Sequence, residues 1–422
     1  MPSLATNGTE HHARAPHTVP CTSSNMPTTL TAAVLLTADC PILDPLVTIG
    51  DDGTILSIGT GPGDPNGSIL APASFDIHIH GAANHDVMEA NPDSLDAIGR
   101  FLAARGVGHF LATTVTAPLD PTLRALEGLA TLIESATGPH PDTEQREAEE
   151  PASPSAVPVG IHLEGPFISH AKRGVHPPAE IREPSIELFS QFWQASRGHI
   201  RLLTLAPEVP GALELARYAT SLGVRVSLGH SDATTEEARA GIVAGATSAT
   251  HTFNAMRRLD HREPGIAAVV LDSDQLFAEL ICDGIHVAPE FVRLWLRCKG
   301  PDRAILVTDG MSATGMPEGE YDLGGLAVAV ANGRALLASD LKRGVETLAG
   351  SVLTLDQAIA NVRSFTGCTL EQALGMVTRN PARMLGLDHL ADVQVGRPAN
   401  LVLYSARGEL RQVILNGRTV PL

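Results

Sequence analysis

The middle of this chain repeats one pattern eight times: a short apolar run followed, in most cases, by a stretch of helical periodicity. The runs fall at residues 74–79, 109–115, 157–163, 200–205, 224–228, 248–250, 276–281 and 304–308. They are too short for helices and are bounded by turn-forming residues, so they read as buried strands. Helical patterns lie between most of them, for example at 94–105, 213–221 and 235–243. Repeated strand–helix units imply a parallel sheet covered by helices, and eight of them favour closure into a barrel over an open, doubly wound sheet. The expected fold class is therefore α/β, a TIM (β/α)8 barrel. The 422-residue length would otherwise suggest two or three domains, but barrels routinely form one long domain.

The two ends of the chain follow a different pattern. Val47, Thr48 and Ile49 precede the turn Asp51-Asp52-Gly53, and 399–404 and 413–415 repeat the style before Asn416-Gly417. These short β-branched runs between turns read as antiparallel strands, and the two ends are expected to pair into one small β-sandwich beside the barrel. The expected division is a disordered leader at 1–28, the β-domain at 29–72 with 388–422, and the barrel at 73–387. The leader lacks the apolar region of a signal peptide, and its His11, His12 and His17 are ordinary solvated side chains on this reading. A Pro-, Ser- and Glu-rich stretch at 138–154 reads as an exposed loop.

Charge and cysteine content narrow the function. With 47 acidic against 30 basic residues the net charge is −17, a field that repels nucleic acid. No apolar stretch approaches the roughly 18 residues of a membrane span. The five cysteines (Cys21, Cys40, Cys282, Cys298 and Cys368) show no CxxC spacing, which argues against a disulfide framework and suits a reducing cytoplasm.

The polar residues at the strand ends carry the chemistry. In a TIM barrel, catalytic groups come from the C-terminal ends of several strands. Here His78 and His80 close the first strand and Glu164 follows the third. His230 follows the fifth, His251 the sixth and Asp309 the eighth. The period-two geometry of a strand places His78 and His80 on one face. All six are competent ligands for a borderline divalent metal. Any one of them alone is more readily a buried or surface polar residue, but six at successive strand ends of one barrel point to a common site.

The segments FDIHIHG (75–81), HLEGPF (162–167), GHSDAT (229–234), THTFNAM (250–256), CDGIHV (282–287) and VTDGMSATG (307–315) resemble, in order, the motifs of the N-acetylglucosamine-6-phosphate deacetylases of the amidohydrolase superfamily. LAGS (348–351) and RNPARMLGL (379–387) continue the likeness, which covers about 30–420. The resemblance implies that Glu164, His230 and His251 hold one divalent metal, zinc or iron(II). It implies that His78 and His80, bridged by Glu164, hold a second. Asp309 is implied as proton shuttle and as a group at the metal, with His176 polarising the acetyl carbonyl. Substrate contacts are implied for Val175, His176, Asn254, Ala255, Arg262, Asp283 and His286, and for the loop Leu348, Ala349 and Gly350. Arg262 offers a planar fork suited to phosphate oxygens. The residue matching His286 reaches a neighbouring subunit's phosphate in the family, so a homodimer is expected.

One departure accompanies the likeness, and one independent feature of the sequence bears on the subclass. Where the family carries Pro-Gly before the HxH strand, this chain has Pro72-Ala73-Ser74, and Ala resists positive φ. The only lysines are Lys172, Lys299 and Lys342, none of which follows the fourth strand. A carbamylated lysine bridge is thereby excluded and the hydantoinase and dihydroorotase branch disfavoured. The expected reaction is metal-dependent hydrolysis of N-acetyl-D-glucosamine 6-phosphate, a small amino-sugar phosphate, to glucosamine 6-phosphate and acetate in amino-sugar catabolism. The alternatives are the galactosamine epimer, an aminoacylase-like substrate, and a barrel that only binds sugar phosphate.

Overall fold

The computed structural model describes residues 28–37, 40–137 and 153–422. The leader before Thr28, with its three histidines and Cys21, and nearly all of the 138–154 loop lie outside the described residues.

Eight parallel strands form one sheet in chain order: β1 (Ser74–Ile79), β2 (Val107–Thr114), β3 (Val157–Glu164), β4 (Ile200–Leu205), β5 (Arg225–Leu228), β6 (Ala246–Ala249), β7 (Phe277–Ile281) and β8 (Ala304–Val307). The register runs without a crossover, as in Leu203↔Val226 between β4 and β5 and Leu280↔Leu306 between β7 and β8. Beyond the end of β8 the chain bridges back to β1. Asp309 N–H donates to His78 O (2.9 Å) and His80 N–H donates to Gly310 O (2.8 Å). Inside that seam Thr308 Oγ1 donates to Asp76 Oδ2 at 2.6 Å. The sheet is thus closed into the expected barrel.

Helices cover the outside, and their starts are written locally. Thr234 caps helix Thr235–Val243, and Glu237 reaches back to the Thr234 N–H, a reciprocal pair that satisfies donors the helix leaves open. Asn91 caps Pro92–Ala103 in the same sense. The main core lies between strands and helices. Phe75, Ile77, Leu203, Leu205, Leu280 and Trp295 are buried there. Removing a side chain as large as Trp295 costs about 3–5 kcal/mol.

The two ends of the chain do form a β-sandwich. A three-stranded sheet (Thr28–Thr31, Pro45–Ile49, Ile55–Thr60) faces a six-stranded sheet in which Leu401–Tyr404 pairs antiparallel with Ile69–Pro72. Leu35, Val47, Ile49, Ile55, Leu401 and Ile414 fill the space between them. Ala73 joins this sheet to β1 without a left-handed backbone. Its N–H donates to Asn400 O at 2.9 Å, and room for its methyl comes from Gly108, where an added Cβ would sit 2.7 Å away. The departure from Pro-Gly is therefore accommodated by the neighbouring strand.

After β8 the chain adds an element that the strand pattern did not reveal. Gly319–Leu323, Leu326–Ala331 and Arg334–Leu337 form an antiparallel three-stranded sheet with its own apolar cluster of Met311, Leu323, Val328, Ala335, Leu337 and Ala349. It is tied to the short hairpin that follows β1 by Asp86, whose Oδ2 accepts the Gly324 N–H at 2.8 Å.

Candidate active site

The polar residues at the strand ends converge at one mouth of the barrel, and all are buried. Their backbone is unusual: His230, His251 and Asp309 have φ of 47°, 29° and 50°. Non-glycine residues seldom adopt positive φ, and such conformations cluster at functional sites. At each of these positions the chain turns sharply off its strand, which brings the side chain over the barrel axis.

Glu164 is the centre of the group. Its Oε1 lies 3.2 Å from His230 Nε2, 3.1 Å from His251 Nε2 and 3.4 Å from His78 Nε2. Its Oε2 lies 3.2 Å from His80 Nε2 and 3.7 Å from His176 Nε2. Asp309 Oδ1 closes the other side, 3.2 Å from His80 Nε2 and 3.5 Å from His78 Nε2.

What stands behind the rings decides what they can offer. His80 Nδ1 donates to Thr113 O (3.0 Å) and His230 Nδ1 to Lys172 O (2.9 Å). A carbonyl only accepts, so Nδ1 carries a proton, and Nε2, facing Glu164, is the atom left to take up a further proton or a metal. His78 Nδ1 faces Glu279 Oε2 at 3.2 Å, with the same consequence. Its Nε2 is buried and has no hydrogen-bond partner.

The electrostatics follow from this crowding. Burial acts to raise the Glu164 carboxyl, but the charge of His78 and the hydrogen bonds of His230 and His251 outweigh it and hold it well below the usual range. Asp309 is likewise raised by burial, yet His78 and His80 bring it down to about 2. In the opposite direction, burial would lower His80, and the bonds to Asp309 and Glu164 carry it up to about 9. These shifts are one effect seen from both partners: the carboxylates are ionised, and positive charge beside them is strongly favoured. His176 differs. Burial, with the neighbouring His230, takes it down to about 3, so its imidazole is neutral. Its Nδ1 sits 2.7 Å from Thr116 Oγ1.

Below this layer the barrel interior is hydroxylic. His162 Nε2, Thr204 Oγ1, Thr250 Oγ1 and Ser227 Oγ form a chain of contacts at 2.8, 2.7 and 2.7 Å. Buried polar groups joined in this way satisfy one another and stiffen the floor.

Above it opens a cavity of about 310 Å³. His80, Glu164, His176, His230, His251 and Asp309 form its base. Of the other sequence-predicted residues, Val175, Asn254, Ala255, His286, Leu348 and Gly350 lie in its walls. Asp283 stands behind His286, its Oδ2 2.6 Å from His286 Nδ1. Ala349 is buried in the apolar cluster of the added sheet. Arg262 is elsewhere: it is exposed, outside the cavity walls, in a loop where its N–H donates to Asp260 Oδ1 at 2.8 Å.

Sequence reasoning missed four contributors. Leu323 and Glu346 reach the cavity wall from the added sheet and the loop after it. Glu208 braces the 229–234 loop by accepting from Ser231 Oγ (2.7 Å) and the Asp232 N–H (2.6 Å). Glu279 lies within β7 and backs His78. A single charge inside an otherwise apolar strand was the visible signal for it.

The donor set suits a divalent metal. Imidazole Nε2 atoms and ionised carboxylates face each other at 3.1–3.5 Å, with His78 Nε2 left without a hydrogen-bond partner. Among the described residues, His78, His80 and Glu164 form one group with metal-ligand spacing, and Glu164, His176 and His230 form another. Imidazole nitrogen with carboxylate oxygen is a common donor set for such ions.

Comparison with known proteins agrees. A model of the amidohydrolase family, a divalent-metal-dependent group, matches residues 69–420. The chain is 39% identical over 354 residues to N-acetylglucosamine-6-phosphate deacetylase of Lysinibacillus sphaericus, covering 84% of this chain and 86% of that one. It is 37% identical over 371 residues to N-acetylgalactosamine-6-phosphate deacetylase of Escherichia coli, covering 87% and 92%. A mutant N-acetyl-D-glucosamine-6-phosphate deacetylase from Mycobacterium smegmatis, solved in complex with N-acetyl-D-glucosamine-6-phosphate, superposes with a TM-score of 0.83 at 32% identity, covering 94% of this chain and 100% of that one. The chain belongs to the amidohydrolase family, in the branch of the N-acetylglucosamine-6-phosphate deacetylases.

Proposed function

We propose that this enzyme hydrolyses N-acetyl-D-glucosamine 6-phosphate to D-glucosamine 6-phosphate and acetate, in the cytoplasm, as a step of amino-sugar catabolism. The observation that carries the proposal is the convergence of His78, His80, His230 and His251 on the Glu164 carboxylate, with Asp309 alongside, at the base of a cavity of about 310 Å³. The relatives at 37–39% identity act on N-acetylated hexosamine 6-phosphates by name, which sets the substrate class.

Glu164, His230 and His251 would hold one divalent metal, zinc or iron(II), and His78 and His80 with Glu164 a second. When bound, such a metal supplies Lewis acidity and lowers the pKa of a water towards neutrality. The chain's own residues do the rest. Asp309, ionised and at the cavity base, accepts the proton of the attacking water and returns it to the departing sugar nitrogen. His176 is neutral, and its Nε2 can donate to the acetyl oxygen as charge builds there. Thr116 holds that ring in place. Val175, Asn254, Ala255 and the loop at Leu348, Ala349 and Gly350 would shape the sugar site.

Phosphate recognition is assigned to His286, held by Asp283, and to Arg262. Arg262 stands away from its own cavity, which suits a site completed across a two-fold homodimer.

The test is acetate release by metal-loaded protein from the 6-phosphates of N-acetylglucosamine and N-acetylgalactosamine and from N-acetyl amino acids. A kcat/KM highest for the glucosamine epimer is expected. Preference for the galactosamine epimer, towards which the E. coli relative points, would reassign the substrate. Binding without turnover would reject catalysis.

A further inference from the structure

Glu279 is a fully buried carboxylate in the middle of β7, and the function above gives it no task. Burying an ion costs several kcal/mol even after the protein relaxes, so its surroundings must compensate. Its Oε2 lies 3.2 Å from His78 Nδ1 and 3.4 Å from the His251 N–H, while its Oε1 has no hydrogen-bond partner. Arginine and lysine are absent from these contacts. The side chain that this carboxylate faces is the His78 ring.

His78 is held differently from the other inward-facing histidines. His80 and His230 rest against neutral carbonyls, and His251 Nδ1 has no hydrogen-bond partner. Among the histidines gathered on Glu164, His78 is the one with a carboxylate at its back. An acceptor there fixes the ring proton on Nδ1 and directs the Nε2 lone pair at Glu164 Oε1 and Asp309 Oδ1, 3.4 and 3.5 Å away. A charged acceptor also increases the electron donation of that lone pair beyond what a carbonyl achieves.

We infer that Glu279 is a positioning residue, which fixes the tautomer and strengthens the donor atom of His78 and so sets how tightly the chain holds its second divalent cation. This rests on the two-metal reading above. The Glu279 contact with the His251 N–H is one that a neutral oxygen can also accept, so the charge itself serves His78.

The experiment is zinc titration of the untagged full chain in metal buffers, with bound metal counted by elemental analysis. Wild type should take two equivalents. Glu279→Gln, which keeps the volume and an acceptor oxygen, should weaken one equivalent about 10–100-fold and leave the other unchanged. In a His78→Ala background the same substitution should change nothing further, because Glu279 acts through His78. Should Glu279→Gln fail to fold, Glu279→Asp, which keeps the charge but retracts it by a methylene, carries the test and should also weaken one equivalent.

Unchanged affinity for both equivalents overturns the inference. Equal weakening of both, in either background, overturns it too and leaves a scaffold role. A wild type that binds a single equivalent removes the two-metal reading and this inference together. Acetate release measured on the same samples judges the substrate assignment separately.

Discussion

His230 Nε2 and His251 Nε2 lie 3.1 Å apart, and both face the same oxygen of Glu164. With the His230 proton committed to Lys172 O, its Nε2 faces His251 Nε2 and Glu164 Oε1 with a lone pair, an arrangement suited to a shared cation. Glu164→Ala should therefore lose bound metal and all acetate release. Removing metal from the wild type with a chelator should lower Tm, because a ligand at 100 times its Kd contributes about 2.7 kcal/mol. Elemental analysis of the variant and thermal unfolding of the stripped protein check this. Full metal content in Glu164→Ala would refute it.

Asp309→Asn keeps the shape of the side chain but cannot take a proton. It should lower kcat by about 10²–10⁴ while the metal held by Glu164, His230 and His251 remains. Steady-state kinetics on variant protein with verified metal content measures this. Near-normal kcat in such a sample would remove Asp309 from proton transfer.

His78→Ala combined with His80→Ala should remove one metal equivalent and leave a reduced rate. Both rings face Glu164, but neither is within the His230–His251 pair. Identical metal content in the double variant and the wild type would show that the HxH pair holds no ion.

If phosphate recognition is shared between subunits, Arg262→Ala should raise KM for the phosphorylated sugar far more than for free N-acetylglucosamine. Mixing inactive Asp309→Asn subunits with impaired Arg262→Ala subunits should recover activity, since hybrids regain one intact site if Arg262 serves the neighbouring cavity. Sedimentation gives the assembly state. A fully active monomer would end the shared-site arrangement.

His109, at the opposite end of β2 from the site, gives a pH prediction. Burial, assisted by His389, lowers its pKa to about 4 from the ordinary 6.5. Its folded pKa lies below its unfolded one, so its contribution is complete above pH ~6.5 and is lost as pH falls through about 4. The shift corresponds to about 3 kcal/mol. Tm measured from pH 7 to 4 should fall more steeply in wild type than in His109→Gln. Parallel curves would contradict it.

The fold was legible because strand and helix lengths obey local rules. Residues 74–79, 200–205 and 235–243 were read with the bounds that Ser74–Ile79, Ile200–Leu205 and Thr235–Val243 take. The polar strand ends were legible because barrel geometry gathers them at one mouth. The sheet after β8 stands outside the strand–helix repeat, and although Gly324-Gly325 and Asn332-Gly333 mark its turns, its half-exposed strands lack the continuous apolar runs of the barrel. Glu279 hid within an apolar run, and only tertiary packing reveals that it faces His78. The placement of Arg262 outside the cavity depends on loop geometry that motif order does not encode.

The pairing of Ile69–Pro72 with Leu401–Tyr404 also bears on how the enzyme is made. The strand leading into His78 and His80 leaves the ribosome early, whereas its neighbour is synthesised late, with the whole barrel between them. Such distant pairing is slow to form and leaves an unzipped strand edge in the meantime. A nascent or prematurely stopped chain would therefore expose this edge, offering a docking point for chaperones or for other unfinished copies. Completion of the last strands removes that liability and firms the wall that bears the two histidines.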